Sequence, residues 1–305
     1  MTERVTLAVL TYRRPGDLAE LLPILAGQAG DSPAEVDILV VDNDPAAGAR
    51  AQVAAAASIA PLRYAHEPAP GIASARNRAL DEATGDLLVF IDDDERPTPT
   101  WLASLLAQYR LHRPEAVVGP VVSRYDVPPS RWVQAGRFFD RRRLPTGTPV
   151  AVAATNNLLL DLAWVRSNGL RFDVRFGLSG GSDTLFTRQL VSRGGRMLWC
   201  DEAVVIDVVP ASRLSRDWVL RRAYRIGNAS SRVTLDGTRA GRRMALRLAL
   251  IIRGSARLAA GSLRCLAGLL TGRLHHRARG MRTMARGAGM LSGSFGAVYS
   301  EYSRG

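Results

Sequence analysis

Hydrophobic positions in the first 125 residues come in short, nearly unbroken runs, separated by amphipathic stretches and turn-forming residues. Val5–Leu10, Val36–Val41 and Leu87–Ile91 are apolar at successive positions, the pattern of strands buried on both faces. Shorter runs at Leu62–His66 and Val117–Val122 predict two more strands. Between them lie helical patterns: Asp17–Leu25 behind a Pro15-Gly16 turn, an Ala-rich helix reaching about Ile59, Ile72–Ala83 and Pro99–Arg110. Strand–helix alternation of this kind predicts an α/β fold whose mostly parallel sheet is flanked by helices on both faces. Residues 124–150 are less regular and read as a mobile, loop-rich insertion. Beyond them, Val150–Leu160 reads as a strand interrupted by Thr155-Asn156-Asn157. A helix at Thr184–Ser192 and short strands at Arg196–Trp199 and Ala203–Val209 follow.

Ligands of such sheets bind at the carboxyl ends of the strands, and polar clusters fall there. Thr11-Tyr12-Arg13-Arg14 follows the first strand, Asp42-Asn43-Asp44 the second, and Asp92-Asp93-Asp94 the strand at Leu87–Ile91. Clustered carboxylates at the rim of a sheet repel one another unless a cation joins them, and hard oxygen ligands suit Mg²⁺ or Mn²⁺. The competing reading is a solvated acidic turn leading into the helix at Trp101. On an extended chain Asp93 points away from Asp92 and Asp94.

The ordered motifs Leu10-Thr11-Tyr12-Arg13-Arg14-Pro15, Val40-Val41-Asp42-Asn43, Gly71-Ile72-Ala73-Ser74-Ala75-Arg76-Asn77, Phe90-Ile91-Asp92-Asp93-Asp94, Trp101-Leu102, Thr155-Asn156-Asn157 and Gly180-Gly181-Ser182-Asp183 resemble the family-2 glycosyltransferases of the GT-A fold. The resemblance covers roughly residues 3–228. It implies an inverting, metal-dependent transfer of a sugar from a UDP-sugar to a saccharide acceptor. Asp42 then matches the acid that holds the uracil ring, and Thr11 and Arg13 the loop beside the base. Arg76 matches a residue beside the nucleotide, Asp92 the acid by the ribose, and Asp94 the metal ligand at the diphosphate. Asp183 matches the base that deprotonates the acceptor; its other reading is a helix N-cap. Asn156, Asn157 and Ser182 are candidates for acceptor binding, with Ser182 standing where the family commonly has Glu. Asp207 falls near the position where many relatives carry a metal-binding His; a solvent-facing Asp is the alternative. The segment from Val208 to Tyr224 is most similar to the succinoglycan-type glucosyltransferases, which implies UDP-glucose, a lipid-linked oligosaccharide acceptor and exopolysaccharide synthesis.

Charge adds a second unit. The 305-residue chain carries a formal +13, yet residues 1–209 hold 22 Arg against 25 acids, or −3, and residues 210–305 hold 19 Arg against three acids, or +16. We expect a glycosyltransferase domain over 1–228 (nucleotide half 1–123, acceptor half 124–228) and a basic helical tail over 229–305. Within Arg242–Leu270 the Arg positions gather on one helical arc and most Leu, Ile and Met positions on the other, with Leu246 and Leu250 as exceptions. That pattern suits an interfacial helix on an anionic membrane; the alternative is a helix packed on the domain with its Arg face in water. Gly254, Gly261 and Gly268 weaken it, so that it is expected to be kinked or to form only when bound. Few aromatics interleave the Arg residues, which argues against a nucleic-acid partner. The start Met1-Thr2-Glu3-Arg4 has no signal-peptide pattern, and Cys200 and Cys265 form no framework, so a cytoplasmic site, peripheral at the inner membrane face, is expected. Two rival readings remain, a sugar nucleotidyltransferase and a non-catalytic membrane scaffold.

Overall fold

The computed structural model describes residues 3–58 and 61–299. The first half runs β1 (Arg4–Thr11), α1 (Pro15–Gly30), β2 (Glu35–Asp42), α2 (Arg50–Ala56), β3 (Leu62–His66), α3 (Ile72–Glu82), β4 (Leu87–Asp92), β5 (Glu95–Pro97) and α4 (Trp101–His112). The second runs β6 (Ala116–Val118), β7 (Val121–Tyr125), α5 (Arg131–Gly136), β8 (Asn157–Asp161), α6 (Leu162–Ser167), α7 (Ser182–Ser192), β9 (Met197–Trp199) and β10 (Val205–Val209). Three long helices complete it: α8 (Arg216–Leu235), α9 (Ala240–Leu270) and α10 (Leu274–Ser294).

Seven strands form one sheet in the order β3-β2-β1-β4-β8-β6-β9, parallel except for β8, which is antiparallel to β4 and β6. The successive apolar residues of its strands serve two cores. Val5, Leu7 and Val9 join Leu18, Leu21 and Leu25 of α1 and Trp101 and Leu105 of α4. Ala8 and Leu10 join Ala75 and Ala79 of α3 and Phe172 and Phe186. A smaller sheet, β5-β10-β7, pairs Asp207 with Glu95 across its antiparallel edge.

The run at Val117–Val122 is two strands in different sheets. The chain changes sheets at Gly119-Pro120, where a Cβ on residue 119 would lie 2.1 Å from the Ala203 carbonyl. Only the last residues of the expected strand Val150–Leu160 are extended, as β8. The 124–150 segment is anchored where mobility was expected. Ser130 Oγ accepts from the Val133 amide to cap α5, and Val133 and Phe139 pack against Val209, Leu214 and Val219. The Ala-rich helix ends at Ala56, and Ile59 lies outside the described residues.

The tail departs most from expectation. α9 is continuous over 31 residues, roughly 46 Å at 1.5 Å per residue. Its three glycines are contact points with α10. A Cβ at Gly261 would meet the Gly280 carbonyl at 2.8 Å, and one at Gly254 the Leu291 side chain at 2.9 Å. α10 also lies against α8, with Gly289 and Gly293 against the Tyr224 and Asn228 carbonyls. Leu250, an exception to the helical pattern, is buried with Leu235 and Met290. The Arg arc therefore flanks the α9–α10 seam, and the apolar face points outward: Met244, Leu248, Ile252, Leu263, Leu266 and Leu269 are each more than half exposed. Among the described residues no helix is long and apolar enough to cross a membrane. Residue 228, the expected domain boundary, lies inside α8.

Candidate active site

The carboxyl ends of β1, β2 and β4 open into one cavity of about 1000 Å³, closed on its far side by the loop before α7, by β10 and by one face of α8. Parallel pairing fixes this convergence: Thr11 lies beside Asp42, and Leu10 beside Asp92. Four consecutive acids leave β4. All four line the cavity, Asp92 and Asp94 half-buried, Asp93 and Glu95 buried. Because Asp93 and Asp94 form a turn rather than extended chain, Asp93 does not point away from Asp94 as expected, and the two share Arg14. Asp93 is directed at the end of β1, where it accepts from Thr11 Oγ1 at 2.9 Å and from Arg14 at 2.8 Å.

Too little positive charge reaches these acids. Burial, reinforced by the neighbouring Asp94, pushes Asp92 up to about 7. Burial pushes Asp93 up to about 6 against the pull of Arg14. Glu95 is raised well above the carboxylate range by burial and by Asp92, Asp94 and Asp207. Carboxylates in this condition are held near neutrality or await a cation. Asp94 pairs with Arg14 at 2.8 Å and Arg213 at 3.0 Å. Asp207 lines the cavity and pairs with Arg141 at 2.7 Å. Among the described residues no three acids are gathered into a ready-made cation site.

The other expected residues divide. Arg13 lines the cavity in a left-handed backbone conformation, mostly exposed and paired with Asp44 at 3.1 Å. Arg76 is buried, stacks on Phe172 and donates to Ser182 Oγ at 3.0 Å, so it links α3 to the start of α7. Its Nε has no partner. Asp42 lies beneath the cavity. Its oxygens accept from the Asp44 and Ala49 amides and the Tyr64 hydroxyl at 2.8–3.0 Å. It shapes the turn after β2, and the polar wall there is Asn43; this departs from the expected contact between Asp42 and the base.

Asn156 is on the wall, bonded to Glu95. Asn157 is not. It is fully buried, accepting from Trp101 Nε1 at 2.8 Å and donating to the Pro120 and Ala203 carbonyls at 3.0 and 2.7 Å. Its assignment to the acceptor site is corrected to a structural one: Asn157 begins β8 with its side chain held by Trp101 and two carbonyls, whereas Asn156 lies in the turn before the strand. Ser182, also lining the cavity, is buried and is not the cap of α7; Gly181, at φ 104°, occupies the N-cap. Asp183 lies in the first turn, facing the cavity, with Oδ1 accepting from the Thr184 amide at 2.7 Å. Glu95, Arg14, Arg141 and Arg213 also line the cavity, without a role in the motif reading. Glu95 adjoins the acidic run and Arg14 lies inside the first motif, while Arg141 and Arg213 lie in segments whose spacing follows no helix or strand period.

The arrangement places paired acids and arginines at the strand ends, a carboxylate at a helix start, and a cavity large enough for a sugar nucleotide between them. The glycosyl transferase family 2 model matches residues 6–165. The chain is 36% identical over 251 residues to the succinoglycan biosynthesis protein ExoM of Rhizobium meliloti (strain 1021), covering 82% of this chain and 81% of that one. In fold it is similar to the mannosyltransferase PcManGT from Pyrobaculum calidifontis, solved with GDP-Man and Mn²⁺ (TM-score 0.65, 19% identity, 96% and 87% covered). It is likewise similar to S. aureus TarS 1-349 solved with UDP-GlcNAc (TM-score 0.52, 18% identity, 97% and 93% covered). The sheet, the cavity and the sequence likeness agree: the chain is a GT-A-type α/β protein that belongs to glycosyl transferase family 2 and is a glycosyltransferase.

Proposed function

We propose that the chain transfers a sugar, glucose being the expected one, from a UDP-sugar to a lipid-linked saccharide in exopolysaccharide assembly, with inversion at the anomeric carbon. The observation that carries this reading is the meeting of the β1 and β4 carboxyl ends with Asp183 around one cavity. The likeness to ExoM supports the exopolysaccharide role, and the UDP-GlcNAc complex of TarS supports a uridine nucleotide.

The donor lies along the ends of β1, β2 and β4, with Thr11 and Arg13 beside the nucleoside and Asp92 at the ribose. A divalent cation, Mg²⁺ or Mn²⁺, fits the donor set. Asp92, Asp94, Glu95 and Asp207 offer only carboxylate oxygens, and Asp92 and Glu95 are short of positive charge. Asp94 would hold the cation with Asp207, each exchanging an arginine partner for it. When bound, the cation supplies Lewis-acid stabilisation of the departing diphosphate.

The chain's own residues do the rest. Asp183 accepts the proton of the acceptor hydroxyl as its oxygen bonds to the anomeric carbon from the face opposite the nucleotide. The bond from that carbon to the diphosphate oxygen breaks, and its electron pair leaves with UDP. Arg14 and Arg213, released from Asp94, are placed to offset the phosphate charge. Arg76 holds the start of α7 through Ser182, and so positions Asp183.

The outward apolar face of α9, with arginines at its flanks, supports a peripheral position on the anionic inner face of the cell membrane. The test is transfer of label from UDP-glucose into a lipid extract of exopolysaccharide-producing cells. Wild type should label a lipid-soluble product. The Asp183→Asn variant should lose labelling while binding UDP as before; equal labelling by both would remove Asp183 from the reaction.

A further inference from the structure

One face of α8 carries Trp218, Arg222, Arg225, Ala229 and Val233 at intervals of three or four residues, and all line the cavity. The two ends of this face meet different parts of the site. Ala229 and Val233 lie under Gly181, where the Asp183 segment begins, while Trp218 stacks on Phe139. At about 1.5 Å per residue, Arg225 and Arg222 lie about 6 and 10 Å along the helix from Ala229. From α10, Arg286 joins the same wall.

These arginines differ from those at the donor end. Arg14, Arg141 and Arg213 pair with Asp93, Asp94 and Asp207, whereas neither Arg222 nor Arg286 forms an ion pair among the described residues. Arg222 lies 5.1 Å from the Trp218 ring. Burial and then the charges of Arg141, Arg225 and Arg213 push it down to about 10 against the pull of Asp207, so it lies where the α8 wall meets the donor end. Arg286 is lowered by burial, then by Arg257 and Arg282. Half-buried guanidinium groups that repel one another gain most from an anion, and phosphate oxygens match their fork geometry. The basic wall continues to the α9–α10 seam, where Arg257 lies against Gly287, and beyond the seam α9 turns its apolar face outward.

We propose that Arg222, Arg225 and Arg286 form a second phosphate subsite, distinct from the donor's, that grips the diphosphate joining the acceptor saccharide to its lipid. This rests on the lipid-linked acceptor proposed above. It explains how a saccharide could be held with its hydroxyl toward Asp183 and its lipid toward α9, by a group common to all such acceptors.

The probe is farnesyl diphosphate, titrated by calorimetry into the full chain saturated with UDP and Mn²⁺, so that the donor's phosphate site is filled. Wild type should bind it, and farnesol should bind far more weakly. Arg222→Gln and Arg225→Gln should each weaken it by about tenfold or more, the loss of one charge-assisted hydrogen bond, with UDP affinity unchanged. Arg286→Gln, on a different helix, repeats the test if an α8 variant fails to fold. Four results would overturn the subsite: no binding in the presence of UDP, binding that competes with UDP, equal affinity in the variants, or a loss seen only for phosphatidylglycerol vesicles. UDP release from UDP-sugar without acceptor is measured alongside. If it is intact while the subsite fails, the transferase reading stands; if wild type neither releases nor binds UDP, the transferase reading itself fails.

Discussion

Half-buried Asp92 and buried Asp93 and Glu95 are acids held above their ordinary range, and two consequences follow at the scale of single residues. An acid raised in the folded state favours folding below its unfolded value, and that contribution is lost as pH rises through the folded value. In UDP-free and metal-free protein, stability should therefore fall between about pH 4 and about pH 7 through Asp92. The Asp92→Asn variant should melt a few °C higher than wild type at pH 8 and about equally at pH 4; an equal difference at both would refute the assignment. Asp183→Asn should lower transfer by about 10²–10⁴-fold, the usual contribution of a general base, at unchanged UDP affinity. A loss of UDP affinity would instead make Asp183 part of the donor site. That Asp92, Asp94 and Asp183 lie on the cavity wall was legible because each motif falls at the end of an element, a strand for the first two and a helix start for Asp183. The places of Asn157 and Asp42 were not. Whether an Asn faces the cavity or the Trp101 indole depends on where the turn at Asn156 gives way to β8, and whether Asp42 reaches out depends on the amides of the turn at 44–49.

At the scale of elements, the buried strands could be read from their unbroken apolar runs, since only a two-sided core stabilises them. The split at Gly119-Pro120 was hidden because hydropathy is the same on both sides of it. The glycines of α9 were misjudged because propensity measures an isolated helix, whereas here each glycine admits a neighbouring backbone. Gly261→Val should cost about 1–3 kcal/mol as an overpacked contact, seen as a lower Tm. Gly241→Ala, which meets nothing within 4 Å, should be neutral or slightly stabilising. Equal effects would mean that α9 and α10 do not pack as described. The outward face of α9 predicts a second result. Replacing Leu263 and Leu266 by Asp should reduce binding to phosphatidylglycerol vesicles at least tenfold, since each leucine contributes about 1.5–3 kcal/mol when buried. UDP release in solution should be unaffected; vesicle binding equal to wild type would place membrane contact elsewhere.

For the whole molecule, the division of charge into −3 and +16 announced two surfaces with different partners, and the structure gives that division a geometry. Acids gather at the strand ends, arginines line the α8 wall, and an apolar helix face lies beyond them. What composition could not convey is that α8 and α10 bring tail residues into the cavity, since that depends on helices packing far apart in sequence. The central claim, a UDP-sugar site that uses a divalent cation, is tested most directly by UDP release from a panel of UDP-sugars, with and without Mn²⁺, for wild type and Asp94→Ala. Slow release from one donor, requiring Mn²⁺ and lost in the variant, is the expected result. Release from no donor, together with no UDP-dependent rise in Tm, would contradict it.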